Sequence, residues 1–115
     1  MNTLRNRVQL IGNLGSNPEI KNIGNNRKMA LLKIATNESY RDASGKKVEN
    51  TQWHSVIAWG NVADIAERFL EKGIEVAIEG KLVHRNFDDK SGNKRYVTEI
   101  VANELVMLSK RKERA

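Results

Sequence analysis

"NVADIAERFLEKG", residues 61–73, is the one stretch of this 115-residue chain that abandons a two-residue period. Val62, Ile65, Ala66 and Phe69 fall at the i, i+3, i+4, i+7 spacing of a single helical face. Asn61 is the expected N-cap, and Gly73 is the expected stop just past the last turn. The spacing predicts one amphipathic helix of about three turns, with Phe69 in the core.

Five stretches around that helix read as strands. Before it, "LRNRVQLIGNLG" (4–15) alternates at Val8 and Leu10, and Ile11 beside Gly12 suggests a bulge or bend. "SNPEIKNIGNNR" (16–27) holds the only proline and is expected to be a loop or a loose hairpin connection. "KMALLKIATNESY" (28–40) and "TQWHSVIAW" (51–59) are the second and third strands, joined by a tip at "DASGKK" (42–47). After the helix come "IEVAIEGKLVHRNF" (74–87) and "KRYVTEIVANELVML" (94–108), joined by the turn "DDKSGN" (88–93). The order is β-β-β-α-β-β. An all-β chain of five strands, its single helix between strands 3 and 4, has the element order of the OB-fold, a Greek-key barrel. The expected inner residues are Val8, Leu10, Leu31 or Leu32, Ile34, Val56, Ile74, Val76, Ile78, Leu82 and Ile100. Residues 1–108 form one domain on this reading, and 109–115, ending "KRKERA", a short basic disordered tail.

Composition narrows the function. The formal charge is +6, and residues 1–60 carry nine Lys/Arg against four Asp/Glu. Such a bias favours polyanions. There is no cysteine, so disulfides and thiolate metal sites are excluded. No apolar run reaches the roughly 18 residues of a membrane span, and the N-terminus lacks the pattern of a secretory signal, so a cytoplasmic protein is expected.

The chain has only six aromatics. Phe69 belongs to the helix, whereas Tyr40, Trp53, Trp59, Phe87 and Tyr96 lie on strands or beside the two tips, interleaved with Arg41, Lys46, Lys47, Lys81, Arg85, Lys94 and Arg95. Trp53 and Trp59 are six residues apart and share one strand face. Aromatic platforms flanked by cations suit single-stranded nucleic acid, whose unstacked bases offer faces that duplex does not. The competing reading is that either tryptophan is half-buried core. In the fourth strand Lys81, Val83, Arg85 and Phe87 share one parity, and Ile74, Val76, Ile78 and Leu82 the other.

The segments "VQLIGNLGSNPEIK", "ATNESYRDASGKKVENTQWHSVIAWG", "AERFLEKGIEVAIEGKL" and "SGNKRYVTEIVAN", in this order, resemble bacterial single-stranded DNA-binding proteins of the homotetrameric OB-fold type over nearly the whole chain. The resemblance implies coating of single-stranded DNA in replication, recombination and repair by a dimer of dimers. It implies base stacking on Tyr40 and Phe87, where the family usually has tryptophan, on Trp53, which matches, and on Trp59, where the family has phenylalanine. Arg7, Lys72, Arg85 and Arg95 stand at commonly basic positions. Thr3, Ser55, Asn61, Glu71 and Val83 stand where many members carry Lys or Arg, a loss that Lys33, Lys46, Lys47 and Lys81 are expected to offset. His54 is implied at a subunit interface. The family's acidic C-terminal tip, which recruits other proteins, has no counterpart in "LSKRKERA", so no recruitment by that route is expected.

Enzymatic readings are weaker. Asp88 and Asp89 would form a carboxylate pair for a metal-dependent nuclease, but Asp beside a Gly-containing turn serves turn chemistry. Gly12 and Gly15 lack the strand–loop–helix context of a phosphate cradle. The chain is expected to be non-enzymatic and free of cofactors and metals. The alternative is an OB-fold primosomal assembly or RNA-binding factor that works mainly through protein contacts.

Overall fold

The structure, a computed structural model, describes residues 5–24 and 27–109. Its elements are β1 (Val8–Leu14), β2 (Glu19–Ile23), β3 (Arg27–Arg41), β4 (Lys47–Trp59), α1 (Gly60–Phe69), β5 (Glu75–Asp88) and β6 (Lys94–Met107). The basic tail lies outside the described residues apart from Ser109, whose hydroxyl accepts a hydrogen bond from the Glu75 amide at 2.8 Å.

The five long strands run in the order β1-β5-β6-β4-β3, and β1 pairs again with β3 to close the barrel. All pairings are antiparallel except β4 with β6, which run parallel through Val56–Ile100, Ile57–Val101 and Ala58–Ala102. This is the OB-fold that the element order predicts. The extra strand is β2, where the sequence pattern predicts a loop or loose connection. Glu19, Ile20 and Lys21 alternate, so Ile20 packs against the core while its neighbours face water, and the segment adds to the edge of β3 from Glu19–Leu31 to Ile23–Arg27.

Inside sit Leu14, Leu32, Ile34, Val56, Ile74, Val76, Ile78 and Ile100, all buried. Each side chain removed from water in this way contributes about 1.5–3 kcal/mol. Of the expected pair, Leu32 rather than Leu31 faces in. Leu82 has the inward parity yet is 39% exposed, because β5 continues past the end of the barrel into a two-stranded arm with β6. The expected bulge at Ile11 and Gly12 is absent: β1 alternates unbroken and Ile11 faces out. Gly12 takes an inward slot where a Cβ would meet the Ala35 carbonyl oxygen, one residue before β1 crosses to pair Asn13 with Ala35.

The helix corrects the sequence reading in three ways. The chain leaves β4 straight into α1, so the extended residue Trp59 holds the N-cap position, no side chain caps the turn, and Asn61 is already helical. The helix ends at Phe69, because Leu70 turns extended and buries its side chain, and Gly73 donates instead to the Leu14 carbonyl at 2.8 Å. The buried face is Ala63, Ala66 and Leu70, while Phe69 is 45% exposed. Alanines let the helix backbone approach the barrel end closely, which leaves the bulkier Ile65 and Phe69 on its flank. Lys28 of β3 clamps α1 from the other side, reaching Asp64 at 2.8 Å and Glu67 at 2.6 Å. Those carboxylates, Asp64 foremost, hold its ammonium above the usual lysine range.

Candidate nucleic-acid interface

Along β4 the odd positions face outwards, placing Trp53, Ser55 and Trp59 on one surface with the covered Ile57 between them, while Val56 and Ala58 fill the core. Trp53 is 62% exposed, and its ring lies over Gly15, where any Cβ would collide with it. Trp59 is partly buried and carries the Arg27 guanidinium 4.9 Å from its ring centroid. Lys33 lies directly opposite Ser55 on β3, and its Nζ donates to the Ser55 hydroxyl at 3.0 Å.

The other half of the surface comes from β5 and β6. Their register shifts between Glu79–Glu104 and Gly80–Ala102, which leaves Asn103 as an extra residue and restores inward parity to Ala102 and Ile100. Beyond the bulge, Lys81, Val83, Arg85 and Phe87 face out, opposite Val101, Glu99, Val97 and Arg95. Glu99 is only 7% exposed and is gripped by Arg85, with Nε to Oε1 at 2.6 Å and an Nη to Oε2 at 3.2 Å. Hydrogen bonding to this carboxylate raises the guanidinium above its already high ordinary value. The Phe87 ring lies 5.8 Å from the same guanidinium. Between the two halves lies a cleft of about 240 Å³, lined among others by Ser16, Asn17, Lys33, Ser55, Arg85 and Glu99.

Tyr40 belongs elsewhere. It pairs with Val48 and has the parity of Ile34 and Leu32, so the β3–β4 arm turns it to the face opposite Trp53. The structure therefore gives Trp53, Trp59 and Phe87 outward positions, Phe87 on the β5–β6 arm, and turns Tyr40 on the β3–β4 arm to the opposite face. Tyr96, opposite Asn86, is also exposed.

The basic residues named from the sequence divide by partner. Arg7 pairs with Glu79 at 2.8 Å, Arg95 with Asp89 at 2.8 Å, and Arg85 with Glu99. Lys72 and Lys81 have no ion pair among the described residues. His54 is partly buried, with Nε2 2.9 Å from the Thr36 hydroxyl. Asp89 is committed to its turn: Oδ1 accepts the Ser91 and Asn93 amides at 2.9 Å each, and Oδ2 accepts from Arg95. The Asn93 amide first, and then Arg95, hold its carboxyl below the usual range. Sequence reading misses the Glu99 grip on Arg85, the Gly15 seat of Trp53 and the Arg27 cover on Trp59. Parity puts Glu99 on the face of Val97 and Val101, but its pairing with Arg85 needs the β5–β6 register. The other two depend on how a loop and an edge strand fold back.

A closed OB barrel whose outer surface combines exposed aromatics with lysine and arginine defines an oligonucleotide-binding class of protein. More narrowly, the chain belongs to the single-strand binding protein family, whose family model matches residues 5–108. It is 43% identical over 109 residues to single-stranded DNA-binding protein 1 of Xylella fastidiosa, covering 94% of this chain and 80% of that protein. The protein of the same name from Chlorobaculum tepidum is 44% identical over 104 residues, covering 90% of this chain and 64% of that one. Among solved structures, the Plasmodium falciparum SSB in complex with ssDNA superposes with a TM-score of 0.85 at 30% identity, covering 95% of this chain and all of that one. A deletion mutant of the Thermus aquaticus single-stranded DNA-binding protein gives 0.79 at 29% identity, covering 90% of this chain and half of that one.

Proposed function

We propose that this protein binds and coats single-stranded DNA with little regard to sequence, in replication, recombination and repair. The observation that carries the reading is the single outer surface on which exposed Trp53 and Phe87 and half-covered Trp59 surround a cleft edged by Lys33 and Arg85. Bases stack on Trp53, Trp59 and Phe87, and the strand reaches Tyr40 as it passes onto the first arm. Lys33, Lys72 and Lys81 neutralise phosphates along the way, and Arg7 and Arg95 join by exchanging their carboxylate partners for phosphate. The role is binding rather than catalysis, in the cytoplasm at the nucleoid.

The working unit is a homotetramer, a dimer of dimers, with His54 at a subunit interface. Supporting an oligomer, the outer surface of β1 and β6 exposes Ile11 and Val106, which line one shallow pocket. One barrel covers only about 4–16 nucleotides, so assembly lengthens the track. Among the described residues no helix is long and apolar enough to cross a membrane.

The test is tryptophan fluorescence during titration with oligo-dT, at low and high salt, with duplex of equal length alongside. Saturable quenching by dT and weak quenching by duplex is the expected result. Equal competition by duplex would reduce the affinity to charge alone and end the stacking reading.

A further inference from the structure

We infer that Arg85 meets the bases rather than the phosphates, held for that purpose by Glu99, and that the cleft beside them is a nucleobase subsite. The inference rests on the proposed binding of single-stranded DNA and specifies one part of it.

Glu99 is a nearly buried carboxylate on a cleft whose walls also hold Lys33, Arg85 and a second carboxylate, Glu19. Glu99 sits one residue before Ile100 on β6, and Ser55 one residue before its parallel partner Val56 on β4. Both line the cleft, together with Lys33 and Arg85 from the flanking strands. A buried carboxylate without a partner is strongly destabilising, and Arg85 satisfies this one through two hydrogen bonds to its two oxygens. That geometry has two consequences.

The first concerns charge. The Arg85–Glu99 pair is neutral as a unit, so a phosphate placed beside it gains from the guanidinium and loses to the carboxylate. Arg85 is therefore a poor member of a phosphate track, and Glu99 repels any phosphate that strays into the cleft. The second concerns shape. One edge of the guanidinium is engaged, its plane is fixed, and the side chain remains 55% exposed. The free edge presents N–H donors, and the guanidinium carbon lies 5.8 Å from the centroid of the Phe87 ring. Carbonyl acceptors on thymine, cytosine and guanine suit the donors, and any base suits the face. A cleft of about 240 Å³ with Lys33, Ser55 and Asn17 on its walls has room for one base.

The experiment compares oligo-dT with an abasic strand of the same length and phosphate count, across a range of salt. Single-strand binding loses about 0.7 in the slope of log K against log salt for each phosphate contact removed. The variants are Arg85→Ala, the double variant Arg85→Ala/Glu99→Gln, which leaves no unpaired buried charge, and Glu99→Gln. Circular dichroism confirms that each one is folded. The double variant is expected to bind oligo-dT at least about fivefold more weakly, the lower end for losing one stacked base, with an unchanged salt slope and unchanged affinity for the abasic strand. Glu99→Gln frees the guanidinium for phosphate and is expected to steepen the slope by about 0.7. If the double variant instead lowers the slope by about 0.7, or loses affinity equally on both strands, Arg85 is a phosphate contact and the inference is overturned. Unchanged affinity for oligo-dT would place the pair outside the DNA path and overturn it as well. A wild-type chain that fails to bind oligo-dT at all is a different failure, that of the underlying function, and is visible before any variant is compared.

Discussion

The two hairpin arms are built on the same turn and carry an aromatic at the same place, yet they present it to opposite sides of the barrel. In the first, Asp42 Oδ1 accepts the Ser44 and Lys46 amides at 3.0 and 2.9 Å, and the Gly45 amide donates to the Asp42 carbonyl at 3.0 Å. In the second, Asp89 Oδ1 accepts the Ser91 and Asn93 amides at 2.9 Å each, and the Gly92 amide donates to the Asp89 carbonyl at 3.0 Å. Tyr40 precedes Asp42 by two residues, just as Phe87 precedes Asp89. The difference lies in the count back to the barrel. Phe87 is six residues from Lys81 and keeps its outward parity, whereas Tyr40 is seven from Lys33 and loses it. A turn motif fixes how far an aromatic stands from the tip. The strand length behind it decides which face the aromatic serves.

If that parity governs binding, the largest effect falls on Phe87. Phe87→Ala removes a platform adjoining the cleft and should weaken binding by about 1–3 kcal/mol. The loss should be present already with oligonucleotides of roughly ten residues, a length within the range of one barrel. Isothermal titration or fluorescence anisotropy reads it directly. Tyr40→Ala should show a smaller loss with the short oligonucleotide and a growing one as the strand becomes long enough to pass onto the first arm. Equal losses for the two variants at short length would mean that the DNA path ignores the parity difference.

Period-two alternation carried much of this structure into view from sequence alone. Val8, Leu10, Ile34, Val56, Val76, Ile78 and Ile100 are assigned inwards by it, and all pack in or against the core. Trp53 and Trp59 are assigned to one outward face by the same reasoning. The face that Tyr40 takes is not legible from its nearness to a tip, because it depends on the register of β3 with β4. Phe69 was misleading for a reason of its own. A helical stripe written Val62, Ile65, Ala66, Phe69 allows rotation by about one residue either way, 100° being the step, and the choice belonged to the barrel end, which accepts Ala63 and Ala66 at close range. Pairings between charged residues on different strands, such as Arg85 with Glu99, need the β5–β6 register and its shift at Asn103 before they can be seen at all.

Smaller effects test whether the two turns are as alike as their hydrogen bonds suggest. Gly45 and Gly92 have φ of 83° and 81°, with open space where a Cβ would stand. Strain alone therefore decides the outcome, and Gly45→Ala and Gly92→Ala should each destabilise by about 1–2 kcal/mol, equally and in either order. Thermal unfolding of the two single variants checks the equality; a difference of more than about 1 kcal/mol would show that one tip is held by something beyond its turn.

The smallest expected difference is in acid and salt. The Asp42 carboxyl is held below its ordinary value of 3.8 by the Ser44 hydroxyl first and the Lys46 amide next, and Asp89 is lowered too. A depressed carboxylate stabilises its turn fully above the ordinary value, and that stabilisation is lost as pH falls through the lower folded value. Both tips should therefore be intact at about pH 6 and loosen together below about pH 4, seen as faster exchange of the Lys46 and Asn93 amides relative to core amides such as that of Val56. Salt should separate them. Arg95 donates to Asp89 at 2.8 Å from an exposed position, whereas the partners of Asp42 are a neutral hydroxyl and backbone amides. Roughly 1 M salt screens the ion pair and acts much less on hydrogen bonds from uncharged donors, so the Asn93 amide should gain exchange while Lys46 does not. Arg95→Gln should abolish that salt response and leave the first arm as it was. An identical response at both tips would mean that the turn alone holds Asp89, which would leave Arg95 free to exchange its carboxylate for phosphate at little energetic cost.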